Sequence, residues 1–239
     1  MKRFKVFSAA FIVAVMFMVG AGVANAQPSS PLMSGGDGKP SLLVPDVSFC
    51  ESTQDAATLG ACAAGLTNEF RNSVGMVPHP GYSYVSKFGI TFIPPCFYSE
   101  AAALYCDNNV RLGQKTLEDM FKLKMNPQAY ATYLLGHEAA HHSQTVVGGA
   151  DLVWIFATPS VKPFELQAVC VGGMNLKYHV EQGRFTMADA QGVAAILASA
   201  LWTWTHGSGA EQSAAFWTGY NATSVNGCIG GKFASSPLV

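Results

Sequence analysis

Apolar residues recur at near-helical spacing between residues 54 and 72, and this periodicity predicts a helix with one buried face. Two shorter apolar runs, at 87–95 and 103–108, predict strands. A turn that contains Ser99 and Glu100 is expected between them. The chain is therefore predicted to be helix-rich with a few short strands. A short helix is also predicted at 116–124, and two more are predicted to begin at Pro163 and Thr186. Ser208 and Glu211 form a capping-box pattern, which predicts that a last helix begins near Gly209.

The best bounded of the predicted helices contains the sequence LLGHEAAHHSQ at 134–144. Asn126 can cap its start, and Pro127 suits its first turn, where a backbone N–H has no helical partner. Gly148 and Gly149 mark its end. The predicted helix therefore holds this histidine-rich sequence well inside its two ends.

His137, Glu138 and His141 form the pattern H-E-x-x-H within this helix. Residues i and i+4 lie on one helical face, so the two imidazoles can bind one metal ion. Glu138 is one position further round the helix and can act as a base toward a water molecule without binding the metal. The pattern therefore predicts two ligands and a base of a zinc site.

A catalytic zinc ion needs a third protein ligand. The extended pattern with a third histidine is excluded, because Gln144 and Val147 stand where it requires Gly and His. Glu165 lies near the start of the next predicted helix, which can return antiparallel across the first. Glu165 is therefore the predicted third ligand of a His2Glu zinc site.

Three blocks of the chain, taken together, resemble the bacterial neutral zinc metallopeptidase family. They are LLGHEAAHHSQ, FELQAVC at 164–170 and WTHGSGAEQSAAFWTGYN at 204–221, and the similar span covers about residues 88–229. The resemblance implies an α+β, zincin-like fold, in which a small mixed β-sheet packs on the active-site helix. It implies Zn2+ as the cofactor, with the ligands His137, His141 and Glu165, and Glu138 as the catalytic base.

The resemblance also implies how a substrate is bound and cleaved. A peptide or protein substrate would pair in extended form with the edge strand near 103–107. The shared block around His206 makes this histidine the candidate donor for the oxyanion of the tetrahedral intermediate. The function that the resemblance implies is therefore zinc-dependent hydrolysis of peptide bonds, with the catalytic residues Glu138 and His206.

Two positions depart from the pattern of the family. Ala140 replaces a glycine, which is a small change, and Val169 replaces an aspartate that would orient a zinc-binding histidine. A backbone carbonyl or another carboxylate, such as Asp107 or Asp151, could take over this role. If none does, the chain is a weakened or inactive peptidase-fold binding module, and a metal-dependent hydrolase of a non-peptide amide is a third reading.

The start of the chain has the features of a signal peptide. A basic beginning, an apolar run and small residues at Ala24 and Ala26 predict a signal peptide at 1–26, although the apolar run approaches the length of an uncleaved membrane anchor. Residues 27–47 are predicted to be a flexible leader, and 48–239 the metallopeptidase-like domain. The protein is therefore expected to be exported, either periplasmic or secreted, without stable membrane insertion after cleavage.

Composition narrows the partners and the compartment. Charged residues make up 12% of the chain and the net charge is −1, so no basic surface for nucleic acid is expected. Six cysteines, an even number, favour disulfides in an exported protein, but their spacing does not determine which residues pair. The expected pairs are Cys50–Cys62, Cys96–Cys106 and Cys170–Cys228.

Overall fold

The structure is a computed structural model. The predicted signal peptide lies outside the residues that it describes, as do Asp151 and Gly148–Gly149. None of the helices that the structure describes is long and apolar enough to cross a membrane. The described residues are 32–33, 41–47, 50, 55–86, 90–93, 96–146, 161–201 and 203–228.

Six α-helices form most of the described structure, and their positions follow the apolar periodicity of the sequence. A short 3-10 helix, Val225–Cys228, follows the last of them. The helices are α1 (Ala56–Ser73), α2 (Gln114–Met120), α3 (Pro127–Val146), α4 (Lys162–Glu181), α5 (Met187–Ala198) and α6 (Gly209–Asn221).

The helix starts confirm the predicted caps. Asn126 Oδ1 accepts a hydrogen bond from the backbone N–H of Gln128 at 3.0 Å, at the start of α3. At the start of α6, Ser208 Oγ accepts from Glu211 N–H, and the Glu211 carboxylate accepts from Ser208 N–H. This reciprocal pair is the predicted capping box.

A five-stranded sheet lies beside the helices in the described residues. Its strands are β1 (Leu32–Met33), β2 (Ser41–Leu43), β3 (Gly81–Val85), β6 (Ala103–Cys106) and β7 (Asn109–Gly113). They lie in the order β1-β2-β3-β7-β6; β3 and β7 are parallel, and the other neighbours are antiparallel. This confirms the predicted α+β class with a small mixed sheet.

Strands β1 and β2 lie within residues 27–47, the segment predicted as a leader. Strand β2 pairs with β3, and Leu43 is buried against the core. The predicted leader and the sheet therefore overlap at these residues.

The predicted turn at Ser99 and Glu100 is confirmed at Glu100, which begins a turn with Ala101. Ser99 is the last residue of β5 (Cys96–Ser99), which forms a separate antiparallel pair with β4 (Ile90–Ile93). The predicted strand at 103–108 is too long, because Asp107 and Asn108 form the turn of the hairpin that joins β6 to β7, with φ of 51° and 58°. Asn and Asp tolerate this left-handed conformation better than most residues, and two such residues form the usual two-residue hairpin turn.

Three disulfides connect the elements, and they are the expected pairs. Cys50–Cys62 fastens the segment before α1 to that helix, and Cys96–Cys106 joins β5 to β6. Cys170–Cys228 joins α4 to the 3-10 helix. Disulfides of this kind persist in oxidising compartments, which is consistent with the expected export.

Helix α3 is packed closely between its neighbours. A Cβ added at Gly136 would lie 2.6 Å from Asn175 Nδ2 of α4, so the two helices approach where α3 has no side chain. Asn175 Nδ2 donates to Thr132 O of α3 at 2.8 Å and to Thr67 Oγ1 of α1 at 3.1 Å. On another side, buried Arg71 of α1 donates to Ala139 O at 2.8 Å. The helix with the H-E-x-x-H motif is thus fixed by hydrogen bonds as well as by apolar packing.

Buried His179 on α4 makes the stability of the fold depend on pH. Its Nε2–H donates to Leu66 O at 2.9 Å, and its Nδ1 accepts from Arg184 at 3.0 Å, so the neutral ring is fully hydrogen-bonded. Burial, aided by the Arg184 charge, lowers the pKa of His179 from 6.5 to about 4. Because the folded pKa lies below the unfolded value, the stabilisation is complete above pH 6.5 and is lost as the pH falls toward 4.

We expect the wild type to lose about 2 kcal/mol more unfolding free energy than His179→Gln between pH 7.5 and 5. Glutamine offers an N–H for Leu66 O but does not titrate. Urea unfolding of both proteins at the two pH values measures the difference. Parallel pH dependences would show that His179 is not the titrating group.

Candidate metal centre

Helix α3 presents the two histidines of the motif on one face. His137 and His141 are one helical turn apart and both are buried, with 6% and 2% of their surface exposed. Their Nε2 atoms are 3.3 Å apart. The two imidazoles therefore converge on one point between α3 and α4.

Glu165 reaches this point from the first turn of α4. Its Oε2 atom is 3.2 Å from His137 Nε2 and 3.5 Å from His141 Nε2, and the residue is 1% exposed. The structure thus brings Glu165 together with both histidines, as the sequence predicted. The antiparallel return of α4 across α3 produces this contact.

His206 joins the same group from the loop before α6. Its Nε2 atom is 3.0 Å from Glu165 Oε2. One donor atom each from His137, Glu165 and His206 lie within 4.8 Å of one another, so these residues could hold a metal ion. The resemblance predicts His206 as an oxyanion donor and does not predict its contact with Glu165.

Most of the known separations between these donors are close to those of a tetrahedral zinc site. Donor atoms ~2.0–2.1 Å from zinc at tetrahedral corners lie about 3.3–3.4 Å from one another. Four of the six separations among the three Nε2 atoms and Glu165 Oε2 are 3.0, 3.2, 3.3 and 3.5 Å, close to this spacing. The described residues whose donor atoms all lie within 4.8 Å of one another are His137, Glu165 and His206. The donor set, imidazole nitrogen with one carboxylate oxygen, is also one that zinc accepts.

Glu165 Oε2 also lacks a satisfactory partner among the described residues. It is buried beside three imidazole nitrogens, yet none of these contacts has hydrogen-bond geometry. Buried polar atoms without a hydrogen bond are rare and costly. A cation at the point where the imidazole and carboxylate lone pairs meet would satisfy all of these atoms together, so the residues present fit a zinc ion.

The charges of the cluster are strongly coupled. Burial alone would lower the pKa of His141, but the negative charge of Glu165 outweighs it and raises this pKa to about 9. Burial likewise opposes ionisation of Glu165, but His141 and His206 hold its pKa well below the ordinary value. Glu165 is therefore a carboxylate that requires positive charge beside it, from protons on the histidines or from a cation.

Hydrogen bonds through two side-chain amides orient the ring of His141 at its Nδ1 atom. Its Nδ1 lies 2.8 Å from Gln144 Oε1, which can accept only from Nδ1–H, so Nε2 keeps its lone pair for the site. Gln144 Nε2 in turn donates to Phe164 O and to Gln167 Oε1, both at 2.9 Å. Gln167 donates to Cys228 O at 3.1 Å, next to a disulfide. The spacing of Gln144, three residues after His141, was the sequence signal for this role.

The acids proposed to replace the missing aspartate do not do so where the structure describes them. Asp107 lies in the β6–β7 turn and forms no hydrogen bond to a histidine of the cluster within the described residues. Asp151 is outside those residues. His137 Nδ1 is buried without a hydrogen-bond partner in the described part of the chain. His141 therefore has the orienting contact that His137 lacks.

Glu138 lies between the edge of the sheet and a small cavity. Its Oε2 accepts a hydrogen bond from Tyr105 N–H of β6 at 2.8 Å, so the sheet edge packs on α3 as predicted. A cavity of about 20 Å³ lies next to Glu138. One water molecule needs ~10–15 Å³, so the cavity has room for a water beside the carboxylate. The cavity lining is Tyr130, Tyr133, Leu134, His137, Glu138, Val169, Leu197, His206 and Gln212.

Comparisons of the chain with known proteins found no match. No protein-family model matches the chain. No curated protein and no solved structure matches it either. The functional argument therefore depends on the site itself.

Proposed function

We propose that the chain is an exported, zinc-dependent hydrolase of peptide bonds. The observation that carries this proposal is the convergence of His137, His141 and Glu165 on one point, with Glu138 beside a water-sized cavity next to it. A His2Glu donor set with a neighbouring glutamate is the arrangement of a catalytic zinc site. The resemblance of the sequence blocks to zinc metallopeptidases supports the same function.

The proposed roles follow from the positions of the residues. A zinc ion bound there would acidify a water molecule and polarise a carbonyl group. Glu138 takes the proton of the attacking water in the cavity and delivers it to the leaving amine. Tyr105 N–H holds one oxygen of Glu138 at 2.8 Å, so the other oxygen is the one that exchanges the proton.

The edge strand β6 supports an extended peptide as the substrate. Gly113 N–H of β7 donates to Ala102 O, next to β6. Hydrogen-bonded and non-hydrogen-bonded pairs alternate along two antiparallel strands, so in this register Ala103 and Tyr105 direct their N–H and C=O groups away from β7. A peptide can add to this edge as a further strand, although Glu138 already binds the Tyr105 N–H. The three disulfides support export, and we propose the periplasm or the extracellular medium as the compartment.

A second candidate function is a peptide-binding module that does not turn over. His137 Nδ1 has no hydrogen-bond partner among the described residues, and Val169 lines the cavity near this ring. Loss of such an orienting partner typically lowers metal affinity or activity ~10–100-fold. This deficit is the observation that favours the binding module.

Zinc content and hydrolysis measured on the same preparation test the proposal. The chain from residue 27 onward is expected to contain about one zinc ion, and to cleave casein or a mixed peptide library. 1,10-Phenanthroline should remove both the zinc and the cleavage, and added zinc should restore both.

Two variants serve as matched controls. His141→Ala should lose zinc, whereas His79→Gln removes a histidine that bonds Asn72 outside the site and should keep it. A metal-free wild type that binds no added zinc would overturn the proposal. Stable zinc without cleavage of any peptide would select the binding module.

A further inference from the structure

The loop before α6 is built to hold His206 in one position. Thr203 and Gly207 form an antiparallel bridge with two hydrogen bonds. The N–H of each donates to the carbonyl oxygen of the other, with N to O distances of 3.1 and 2.9 Å. Within it, the backbone N–H of His206 donates to Thr203 Oγ1 at 2.9 Å. Gly207 has φ of 80°, a conformation that other residues rarely adopt, so the tight bridge depends on glycine here. This loop fixes the backbone of His206 through its own hydrogen bonds.

The side chain of His206 is oriented toward the metal centre as well. Its Nδ1 is 2.8 Å from Thr205 Oγ1, a hydroxyl that can accept from Nδ1–H. The lone pair of Nε2 is then free on the side of Glu165, whose Oε2 is 3.0 Å away. A histidine that serves as a metal ligand is commonly oriented through its other ring nitrogen in this way.

The loop and the first turn of α4 are also connected to each other. Lys162, three residues before Glu165, forms an ion pair with Glu211 of α6 at 2.7 Å. The same Glu211 completes the capping box with Ser208, two residues after His206. Both pair partners are partly exposed, so the pair adds little stability, but it connects the chain segments that carry Glu165 and His206.

We infer that His206 is a fourth ligand of the zinc ion, in addition to His137, His141 and Glu165. Four protein ligands fill a tetrahedral zinc site, as in structural zinc centres, whereas catalytic centres use three and leave one position open. A zinc ion held by these four residues would have no position left for a water molecule unless His206 moved away from it. The inference rests on the proposed zinc site, but not on hydrolysis.

Cobalt substitution tests the number of protein ligands without an activity measurement. Apo forms of the wild type, His206→Ala and the control His79→Gln are loaded with Co2+, and their visible spectra are recorded during titration with azide. We expect azide to leave the wild-type and His79→Gln spectra unchanged, and to shift the His206→Ala spectrum. Zinc competition with a chromophoric chelator should show at least ~100-fold weaker binding by His206→Ala, since a direct ligand contributes more than an orienting partner.

Each outcome has a distinct meaning. Equal spectra, azide responses and zinc affinities in the wild type and His206→Ala would overturn the fourth ligand while leaving the His2Glu site and the proposed peptidase intact. No binding of Co2+ or zinc by any of the three proteins would refute the zinc site and with it the proposed function. Near-ultraviolet circular dichroism of the apo proteins checks that His206→Ala is folded, and His206→Gln provides a second variant of closer size.

Discussion

Glu138→Gln is expected to lower kcat for peptide hydrolysis by ~10²–10⁴-fold while leaving the zinc content of the protein unchanged. Glutamine has the shape of glutamate, and its amide oxygen can still accept the hydrogen bond from Tyr105 N–H, which is 2.8 Å from Glu138 Oε2. It cannot take a proton from water at neutral pH. The ligand atoms of the centre belong to other residues, so metal binding does not depend on this carboxylate.

Steady-state kinetics on one peptide substrate and metal analysis of the same samples measure the two quantities. Glu181→Gln is the matched control, because it removes an exposed carboxylate from the end of α4, where Glu181 pairs with Lys177. It should keep both activity and zinc. If Glu138→Gln retains the wild-type kcat, Glu138 is not the base; if it loses zinc, the carboxylate has a role in the metal site that the geometry does not indicate.

The metal centre was predictable from the sequence to the extent that helices place its residues. His137 and His141 share a helix whose cap and spacing are local features, so their common face follows from helical periodicity alone. Glu165 required one further step, the antiparallel return of the next helix. The 23 residues between His141 and Glu165 are enough chain for the next helix to return in this way.

His206 and the β6–β7 hairpin were not placed correctly because their positions depend on other kinds of information. His206 lies in a loop, and only the packing of α6 against α4 brings it to Glu165 Oε2. The hairpin depends on Asp107 and Asn108 adopting positive φ, whereas the apolar pattern predicts both as part of a strand at 103–108. The role of Gln144 could have been recognised, since it follows His141 by three residues, one helical turn, and can bond its ring.

Val169→Asp is expected to tighten zinc binding ~10–100-fold. Val169 lines the cavity that His137 and Glu138 also line. His137 Nδ1 is buried without a hydrogen-bond partner in the described part of the chain. A carboxylate at position 169 can accept the Nδ1–H of His137, fix the ring and make its Nε2 a stronger donor to the metal. The chain would then have an orienting contact behind each histidine of α3, since Gln144 already supplies the one behind His141.

Zinc affinity is measured by chelator competition, beside peptide hydrolysis, for Val169→Asp and two companion variants. Val169→Asn can accept the same hydrogen bond without a charge and should give a smaller gain. Val169→Ala changes only the volume at this position and should give none.

The stability of the Val169→Asp protein helps to distinguish the possible results, because a buried aspartate needs a hydrogen-bond partner. With the bond to His137, the new carboxylate is paired and the fold is kept; without it, an unpaired buried charge destabilises the protein strongly. Val169 is 1% exposed, so water cannot compensate for a missing partner. A folded Val169→Asp protein whose zinc affinity equals that of the wild type would contradict the orienting role of position 169. A gain in affinity together with a gain in hydrolysis would identify Val169 as the substitution that weakens a working peptidase, whereas a gain in affinity alone would favour the binding module.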